Sequence, residues 1–462
     1  RKNCGLECTK MDGCIEPRKL DFMFHQNGIH SMKNINSFAY PLFVVLVLFS
    51  TLSLSTLSLS TLSPSTTSLN AQEWARFRGT NGEGFGKGKF PAKFTEADYN
   101  WKTKLPGIGH SSPVVWGDKI FLISADQASA TRYILCHSTK NGKQLWKREY
   151  KSSPHHLHSR SSYASCTPAV DADHVYVAWS TPEKTTLLAL DHEGKDVWDL
   201  DLGPWVSQHG FGTSPLLYKD MVILNNSQQE QELKEGEQAG KSFVMAFDRA
   251  TGQERWRKAR QSVRVCYSVP MIMKREGQSD ELICCNTGDG VYSLNPMNGD
   301  LNWEMEPFAM RTVASPITAG GLIIGSTGSG GGGNYLVAVR PNDKIVYKID
   351  KLAPYVPTPV AKGDIVFLWY DKGMVTCIDA KDGKVHWRER VGGGFSGSPV
   401  LADDKIYCID EAGTVVVLAA STEYKLLARN ELGEDSRSTP AISDGRMYLR
   451  TYSHLISIGD GS

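Results

Sequence analysis

The sequence predicts an all-β protein: an eight-bladed β-propeller of four-stranded antiparallel blades. Three observations lead to this fold: a recurring Ser/Thr-Pro motif, a turn glycine that recurs four residues before a tryptophan, and little helical periodicity. The chain has 462 residues and 43 glycines, as expected for many short strands joined by tight turns.

The first repeat is a Ser/Thr-Pro pair followed by apolar residues, as in "CTPAVDADHVYV" at 166 and "GSPVLADDKIYC" at 397. Its prolines are Pro113, Pro168, Pro215, Pro316, Pro359, Pro399 and Pro440, and Pro270 belongs to the variant copy "SVPMIM" at 268, in which a valine precedes the proline. Eight copies at intervals of about 40 to 55 residues match the period of propeller blades. We expect each proline at the start of an innermost strand, where it removes no ladder hydrogen bond that the sheet needs.

The second repeat is a turn glycine four residues before a tryptophan. The pairs are Gly142 and Trp146, Gly194 and Trp198, Gly252 and Trp256, Gly299 and Trp303, and Gly383 and Trp387. Such glycines supply the positive φ of a tight hairpin, so we expect the turn to join the third and fourth strands of a blade. Each tryptophan should then pack against the neighbouring blade. Tyr347 and Leu427 occupy the tryptophan position in blades five and seven.

The last repeat has residues for three strands only, and the missing strand is found near the other end of the chain. The segment "YNWKTKLPG" at 99–107 is similar to the outer strands "QLWKREY" and "ERWRKAR", with Trp101 at the tryptophan position. We therefore predict that this segment completes the last blade and closes the ring, which also hides the sheet edges.

The residues before the propeller predict export. We expect 1–31 to be an unstructured upstream segment with a misassigned start, because the chain opens on Arg1 rather than Met. Residues 32–71 read as a signal peptide, with Lys33 before an apolar run and Ala71 at a cleavage point. Residues 72–98 would be an N-terminal extension and 99–462 the propeller. The expected location is the periplasm, the envelope or the exterior, with membrane contact only through an uncleaved signal.

The blade motif resembles that of the pyrroloquinoline-quinone-like repeat family. The matching segments are "AFDRATGQERW" at 246–256 and "CIDAKDGKVHW" at 377–387, and the resemblance covers 99–462. The opening "WARFRGTNGEG" at 74–84 is similar to the start of secreted bacterial propellers. The family contains quinoprotein alcohol dehydrogenases and the propeller lipoprotein of the outer-membrane barrel-assembly machinery. The resemblance implies the fold, while the chemistry has to be argued from a site.

A ligand site of a propeller is expected on its axis, beside the stretches that lead into the inner strands. From those stretches we predict an axial rim of eight ligand-contacting residues: His110, Tyr163, His209, Tyr267, Arg311, Tyr355, Phe395 and Arg437. Asp435 is the single carboxylate in these stretches, whereas a calcium ion needs several oxygen ligands. The rim suits a neutral or anionic organic ligand or a peptide, so we predict no catalytic residue, no metal and no cofactor.

Other chemically suggestive segments have structural interpretations. Cys284 and Cys285 resemble the adjacent cysteines of quinoproteins, but neighbours on a strand point to opposite faces. We expect the histidines of 153–160 and the polar insertion 227–241 to be solvated loops. The glycine-rich segment 325–335 lacks a phosphate-binding motif and should be a hairpin tip.

Three functions follow as hypotheses. The first is an exported, non-catalytic propeller that binds a protein, peptide or small ligand at its axial face. The alternatives are a quinoprotein-like oxidoreductase using pyrroloquinoline quinone with calcium, and an envelope assembly scaffold like the barrel-assembly propeller. A net charge of +1 gives no electrostatic reason to expect nucleic acid as a partner.

Overall fold

The computed structural model describes residues 73–460 except 234, 306 and 307. The predicted upstream segment and signal peptide lie outside the described residues. Helical structure in the described part consists of two 3₁₀ turns, Thr80–Gly82 and Glu96–Asp98. Within those residues no helix is long and apolar enough to cross a membrane.

Eight antiparallel sheets form the blades, and in blades one to seven the four strands follow chain order from the innermost to the outermost. Two strands precede the blades: β1 (Phe85–Gly86) and β2 (Trp101–Lys104). Blades one to four contain, in order, β3 (Val114–Trp116), β4 (Lys119–Ala125), β5 (Arg132–Ser138), β6 (Gln144–Tyr150); β7 (Ala169–Val170), β8 (His174–Ser180), β9 (Thr185–Asp191), β10 (Asp196–Asp201); β11 (Leu216–Tyr218), β12 (Met221–Asn226), β13 (Ser242–Asp248), β14 (Glu254–Arg260); β15 (Met271–Met273), β16 (Glu281–Asn286), β17 (Gly290–Leu294), β18 (Leu301–Met305).

The remaining blades repeat this arrangement. Blades five to eight contain β19 (Ile317–Ala319), β20 (Leu322–Thr327), β21 (Tyr335–Arg340), β22 (Lys344–Ile349); β23 (Val360–Lys362), β24 (Ile365–Tyr370), β25 (Met374–Asp379), β26 (Val385–Arg390); β27 (Val400–Ala402), β28 (Lys405–Ile409), β29 (Thr414–Ala419), β30 (Leu426–Glu431); β31 (Ala441–Ser443), β32 (Arg446–Arg450), β33 (His454–Ile458). All eight motif prolines directly precede an innermost strand, as predicted.

The ring closes through β2, which is the outer strand of blade eight. It pairs antiparallel with β33, with Trp101 opposite Ser457 and Lys104 opposite His454. The predicted eight-bladed propeller with its N-terminal closing strand is therefore confirmed.

The outer-strand tryptophans join each blade to the next, as predicted. A Cβ added to Gly194 would lie 2.8 Å from the Trp146 ring, and Trp146 Nε1 donates a hydrogen bond to the His192 carbonyl at 2.8 Å. The same contact recurs in four further pairs: Trp101 with Gly142, Trp198 with Gly252, Trp256 with Gly299, and Tyr347 with Gly383. These glycines have positive φ, so the turn needs glycine both for its backbone and for the ring that covers it.

Trp303 departs from this arrangement. The turn of the next blade has Asn342 at φ 53 in place of a glycine, and Trp303 Nε1 instead donates to Glu281 Oε2 of its own blade at 2.7 Å. Trp303 is still buried, at 7% exposure. Blade four is thus the one in which the indole N–H of the repeated tryptophan donates within its own sheet, while the ring still belongs to a hydrophobic cluster with Val337 and Val339 of blade five.

A circle of hydrogen bonds joins the residues that precede the eight prolines. In each case the backbone N–H donates to the side-chain hydroxyl of the next blade's pre-proline residue. The bonds are Ser112 to Thr167 (3.1 Å), Thr167 to Ser214 (2.9 Å), Val269 to Ser315 (3.0 Å), Ser315 to Thr358 (2.9 Å), Thr358 to Ser398 (3.0 Å), Ser398 to Thr439 (2.9 Å) and Thr439 to Ser112 (2.9 Å). We call these eight residues the hydroxyl collar; at Val269 the circle lacks an acceptor.

Residues 73–98, called the strap here, run across the inner strands. Trp74 pairs with Val115 of blade one, and β1 adds a parallel strand beside β27, with Phe85 opposite Leu401. Blade seven is therefore five-stranded, which the sequence repeat did not predict. Further along, the strap docks on β30: the Phe94 N–H donates to Asn430 Oδ1 at 2.9 Å. Leu427 of β30 occupies the position that a tryptophan has in most other outer strands. It packs against the hydrophobic cluster that contains Phe94 of the strap.

Arg78 fixes the strap to the inner strands. It is fully buried, and its guanidinium donates to five carbonyls. The acceptors are Gly82 (3.1 Å), Glu83 (3.2 Å), Thr358 (2.9 Å), Pro359 (2.7 Å) and Pro399 (2.9 Å). Burial lowers the pKa of Arg78 to about 9, so it remains charged at neutral pH. The strap thus crosses the channel just beyond the hydroxyl collar.

The seven cysteines of the described residues are all free and buried. Cys284 and Cys285 point to opposite faces of β16 and join separate core clusters, as predicted from strand geometry. Burial raises the pKa of Cys284 to about 12.

Candidate functional site

A blind cup of about 520 Å³ lies on the propeller axis. The Phe77 side chain of the strap lines it, and collar residues such as Ser112 and Thr439 line its lower wall. Its mouth is formed by the connections between blades and by the loops between second and third strands. The volume is within the range of small-molecule sites, roughly 300–1,000 Å³.

The structure brings six of the eight predicted rim residues together. Five line the cup: His110, His209, Tyr267, Tyr355 and Arg437. The sixth, Arg311, lies directly behind His209 and Tyr355.

The other two predicted rim residues lie elsewhere. Tyr163 exchanges hydrogen bonds with the backbone of His155, donating to its carbonyl at 2.7 Å, and is not part of the lining. Phe395 is fully buried and packs edge-on against Trp369 at 5.5 Å between ring centroids. Aromatic residues before an inner strand turn either to the channel or into the core, and the sequence pattern does not distinguish the two.

Arg311 organises one wall of the cup. Its Nε donates to the Val265 carbonyl at 2.7 Å, and its Nη1 donates to His209 Nε2 at 2.8 Å and to the Tyr355 hydroxyl at 3.5 Å. A guanidinium only donates, so the accepting Nε2 of His209 carries no proton and the neutral ring is protonated at Nδ1. Burial, reinforced by Arg311 and His158, lowers the pKa of His209 to about 4.

A second charged group lies across the mouth. Glu411 pairs with Arg160 and accepts a hydrogen bond from Ser396 Oγ at 2.6 Å, and one Arg437 nitrogen is 3.7 Å from it. Arg437 also donates to the Tyr452 hydroxyl at 3.1 Å. Arg437 thus has a carboxylate within ion-pair distance, whereas the groups that accept hydrogen bonds from Arg311 among the described residues are neutral.

The sequence reasoning missed both carboxylates of the lining, Asp371 and Glu411, and the single carboxylate that it counted, Asp435, is not part of the lining. Asp371 and Glu411 lie in the loops between second and third strands, which reach the same face as the connections between blades. The signal was present in the sequence as the turns "YDKG" at 370 and "DEAG" at 410. Asp371 accepts the N–H groups of Tyr355 (2.7 Å) and Val356 (2.9 Å), which positions Tyr355.

The histidine-rich segment 153–160 is only partly a solvated loop. The His158 ring packs edge-on against His209 at 4.4 Å between centroids, and Arg160 reaches Glu411, so both residues line the mouth. The glycine-rich segment is the predicted hairpin tip, between β20 and β21, and it contributes Ser329, Gly330 and Asn334 to the lining. The insertion 227–241 is mostly exposed, although its first three residues are buried.

The acidic residues of the cup lining that could bind the calcium ion of a quinone cofactor are Asp371 and Glu411. Both Asp371 oxygens accept backbone N–H groups, and Glu411 is paired with Arg160. Among the described residues, His, Cys, Asp and Glu side chains form no group of three that could hold a metal ion. The adjacent cysteines are buried within blade four.

These features define a closed propeller with a blind axial cup. A family model described as "Outer membrane protein assembly factor BamB" matches residues 130–351 and 333–426, more than half of the chain. The chain belongs to this family of pyrroloquinoline-quinone-like repeat propellers.

Individual relatives are distant. The chain is 21% identical to the outer membrane protein assembly factor BamB of Yersinia pestis over 65% of this chain and 75% of that protein, and 23% identical to that of Escherichia coli over 35% and 43%. Crystal structures of BamB from Moraxella catarrhalis and of a quinohemoprotein alcohol dehydrogenase from Comamonas testosteroni share the fold. Their TM-scores are 0.54 and 0.59, at 15% and 12% identity, covering 78% and 85% of this chain and 98% and 81% of those chains.

Proposed function

We propose that this chain is a non-catalytic binding propeller of the cell envelope, which holds a ligand or a segment of a partner protein in its axial cup. The observation that carries the proposal is the construction of the cup. Phe77 and the hydroxyl collar line its lower part, while Tyr267, Tyr355 and the Arg311–His209 pair form its wall. Such a mixture of apolar surface and a few convergent polar groups is typical of ligand sites.

The cup supports binding better than oxidation. Of its two carboxylates, Asp371 accepts hydrogen bonds from two backbone amides and Glu411 pairs with Arg160. The acidic side chains that a calcium ion would require therefore already have partners within the protein. Adding pyrroloquinoline quinone and calcium to the purified protein should give no dye reduction with alcohols or sugars as substrates. Quinone-dependent reduction would favour the oxidoreductase instead.

Photocrosslinking tests the binding proposal directly. A photoreactive phenylalanine analogue at Tyr267 should form adducts in the native cell envelope, because that side chain faces the cup. The matched control is the same analogue at Leu145, which is 47% exposed on the outer strand of blade one. Adducts from Leu145 alone, or from both positions equally, would contradict an axial binding site.

The family relationship favours a second candidate, an assembly factor of the outer membrane. It rests on the matched family model and on relatives that are named for this role. If this candidate is correct, the tagged protein should co-purify with outer-membrane barrel proteins from its own source. Purification without them would remove this candidate and leave the binding proposal intact.

A further inference from the structure

We propose that the cup wall formed by Arg311, His209 and Tyr355 is an anion site that receives the carboxylate of an organic ligand. The inference deepens the proposed function and rests on it, because it assumes that the axial cup is the binding site. It concerns the chemical class of the ligand.

The charge of Arg311 is not balanced by a neighbouring carboxylate among the described residues. Arg311 is only 7% exposed, and it donates hydrogen bonds to a carbonyl, an imidazole and a phenol. Among the described residues it has no carboxylate within ion-pair distance, in contrast to Arg437, which lies near Glu411. A buried charge without a counter-ion is costly, and an anionic ligand would supply one.

His209 and Tyr355 each keep a hydrogen that can be donated to a ligand in the cup. His209 Nε2 and the Tyr355 oxygen both accept from Arg311, so His209 Nδ1–H and the Tyr355 O–H remain available to donate. Both residues line the cup. Donation from a buried guanidinium polarises these groups and makes them better donors. The wall therefore presents donors, and a carboxylate is a ligand that only accepts.

The rest of the cup lining has more cationic than acidic residues and also carries apolar surface. Its cationic residues, Arg160, Lys372, Arg390 and Arg437, outnumber its acidic residues, Asp371 and Glu411. Both oxygens of Asp371 accept hydrogen bonds from backbone amides. Phe77, Phe211 and Tyr267 supply apolar and aromatic surface in the same cup. The carboxylate is therefore expected on an apolar or aromatic frame.

Paired probes that differ only in charge test this inference. Calorimetric titration of the purified protein would compare 1-naphthoate with 1-naphthamide, and a pentapeptide ending in phenylalanine with a free or an amidated C-terminus. We expect at least one carboxylate probe to bind roughly ten- to a hundredfold more tightly than its amide. Preference in the naphthalene pair indicates a small organic acid, and preference in the peptide pair indicates a chain terminus.

Variants of Arg311 and Tyr355 test whether the preference for a carboxylate over an amide arises at this wall. Arg311→Met should abolish it, and Tyr355→Phe, which removes a single hydroxyl, should reduce it several-fold while the fold is retained. Arg255→Met is the control, because Arg255 lies on the outer surface between Asp220 and Asp248. Carboxylate binding that equals amide binding, or is undetectable, overturns the inference, as does a preference that persists in both wall variants. Crosslinking from Tyr267 without a carboxylate preference would leave the proposed function standing.

Discussion

At the scale of single residues, the environment of a side chain rather than its type decides its role. Arg78, Arg311 and Arg437 are all inward-facing arginines, but the first bonds carbonyls of the inner strands, the second polarises a cup wall, and the third lies near a glutamate. The sequence identified Arg311 and Arg437 as rim residues by their position before an inner strand. It could not separate their roles, since their partners come from other blades.

His110 should make stability depend on pH. Burial, together with Arg437 and Arg450, lowers its pKa from 6.5 to about 3 in the folded protein. The unfolded chain therefore takes up a proton first, and the free energy of unfolding should fall as the pH drops from about 6.5 towards 3, by on the order of a few kcal/mol. Urea unfolding across this range should show a smaller loss for His110→Phe, which keeps a ring beside Tyr452. Identical pH profiles would contradict the assignment.

At the scale of elements, the repeat encodes contacts between blades as well as within them. The two sequence repeats predicted the blades, the turn glycines and the tryptophan docking, because these contacts recur at fixed spacing. The hydroxyl collar lies in the same Ser/Thr-Pro motif, but it was not predicted, since the periodicity of a strand does not show a hydrogen bond between neighbouring blades. Phe395 and the carboxylates of the lining were placed wrongly or missed for a similar reason: their neighbours are distant in sequence.

Completing the hydroxyl collar should stabilise the protein. Val269→Thr would place a hydroxyl where Thr167, Thr358 and Thr439 have theirs, and give the Ser214 amide an acceptor. The expected gain in the free energy of unfolding is about 0.5–1.5 kcal/mol, measured by denaturant titration. Val360→Thr, in the core one residue after the motif proline, is the control and should destabilise because its hydroxyl is buried in an apolar cluster. A loss of stability in both variants would argue against the collar.

At the scale of the whole molecule, two segments outside the repeats complete the propeller. The strand β2 closes the ring, and its similarity to the other outer strands made it predictable. The strap crosses the channel and turns it into a cup, but it matches no repeat, so its path could not be predicted from the sequence. The cup therefore depends on both a repeated and a unique part of the chain.

Removing the charge of Arg78 should destabilise the whole ring. Arg78→Met leaves five carbonyls, four of them buried, without their donor, and the expected loss in the free energy of unfolding is roughly 3–5 kcal/mol. Arg255→Met, at an exposed ion pair, should change it by less than about 1 kcal/mol. Chemical denaturation of both variants compares them, and similar small losses would show that the strap does not hold the inner strands together.

The central claim, that the axial cup is the binding site, is tested most directly by the native mass of the protein purified from its own source. We expect a mass above that of the polypeptide, and loss of the excess in Val313→Trp, which fills the cup from its lining. Leu145→Trp, on the outer surface, should retain it. A bound species that persists in Val313→Trp, or a mass equal to the polypeptide alone, would contradict the claim.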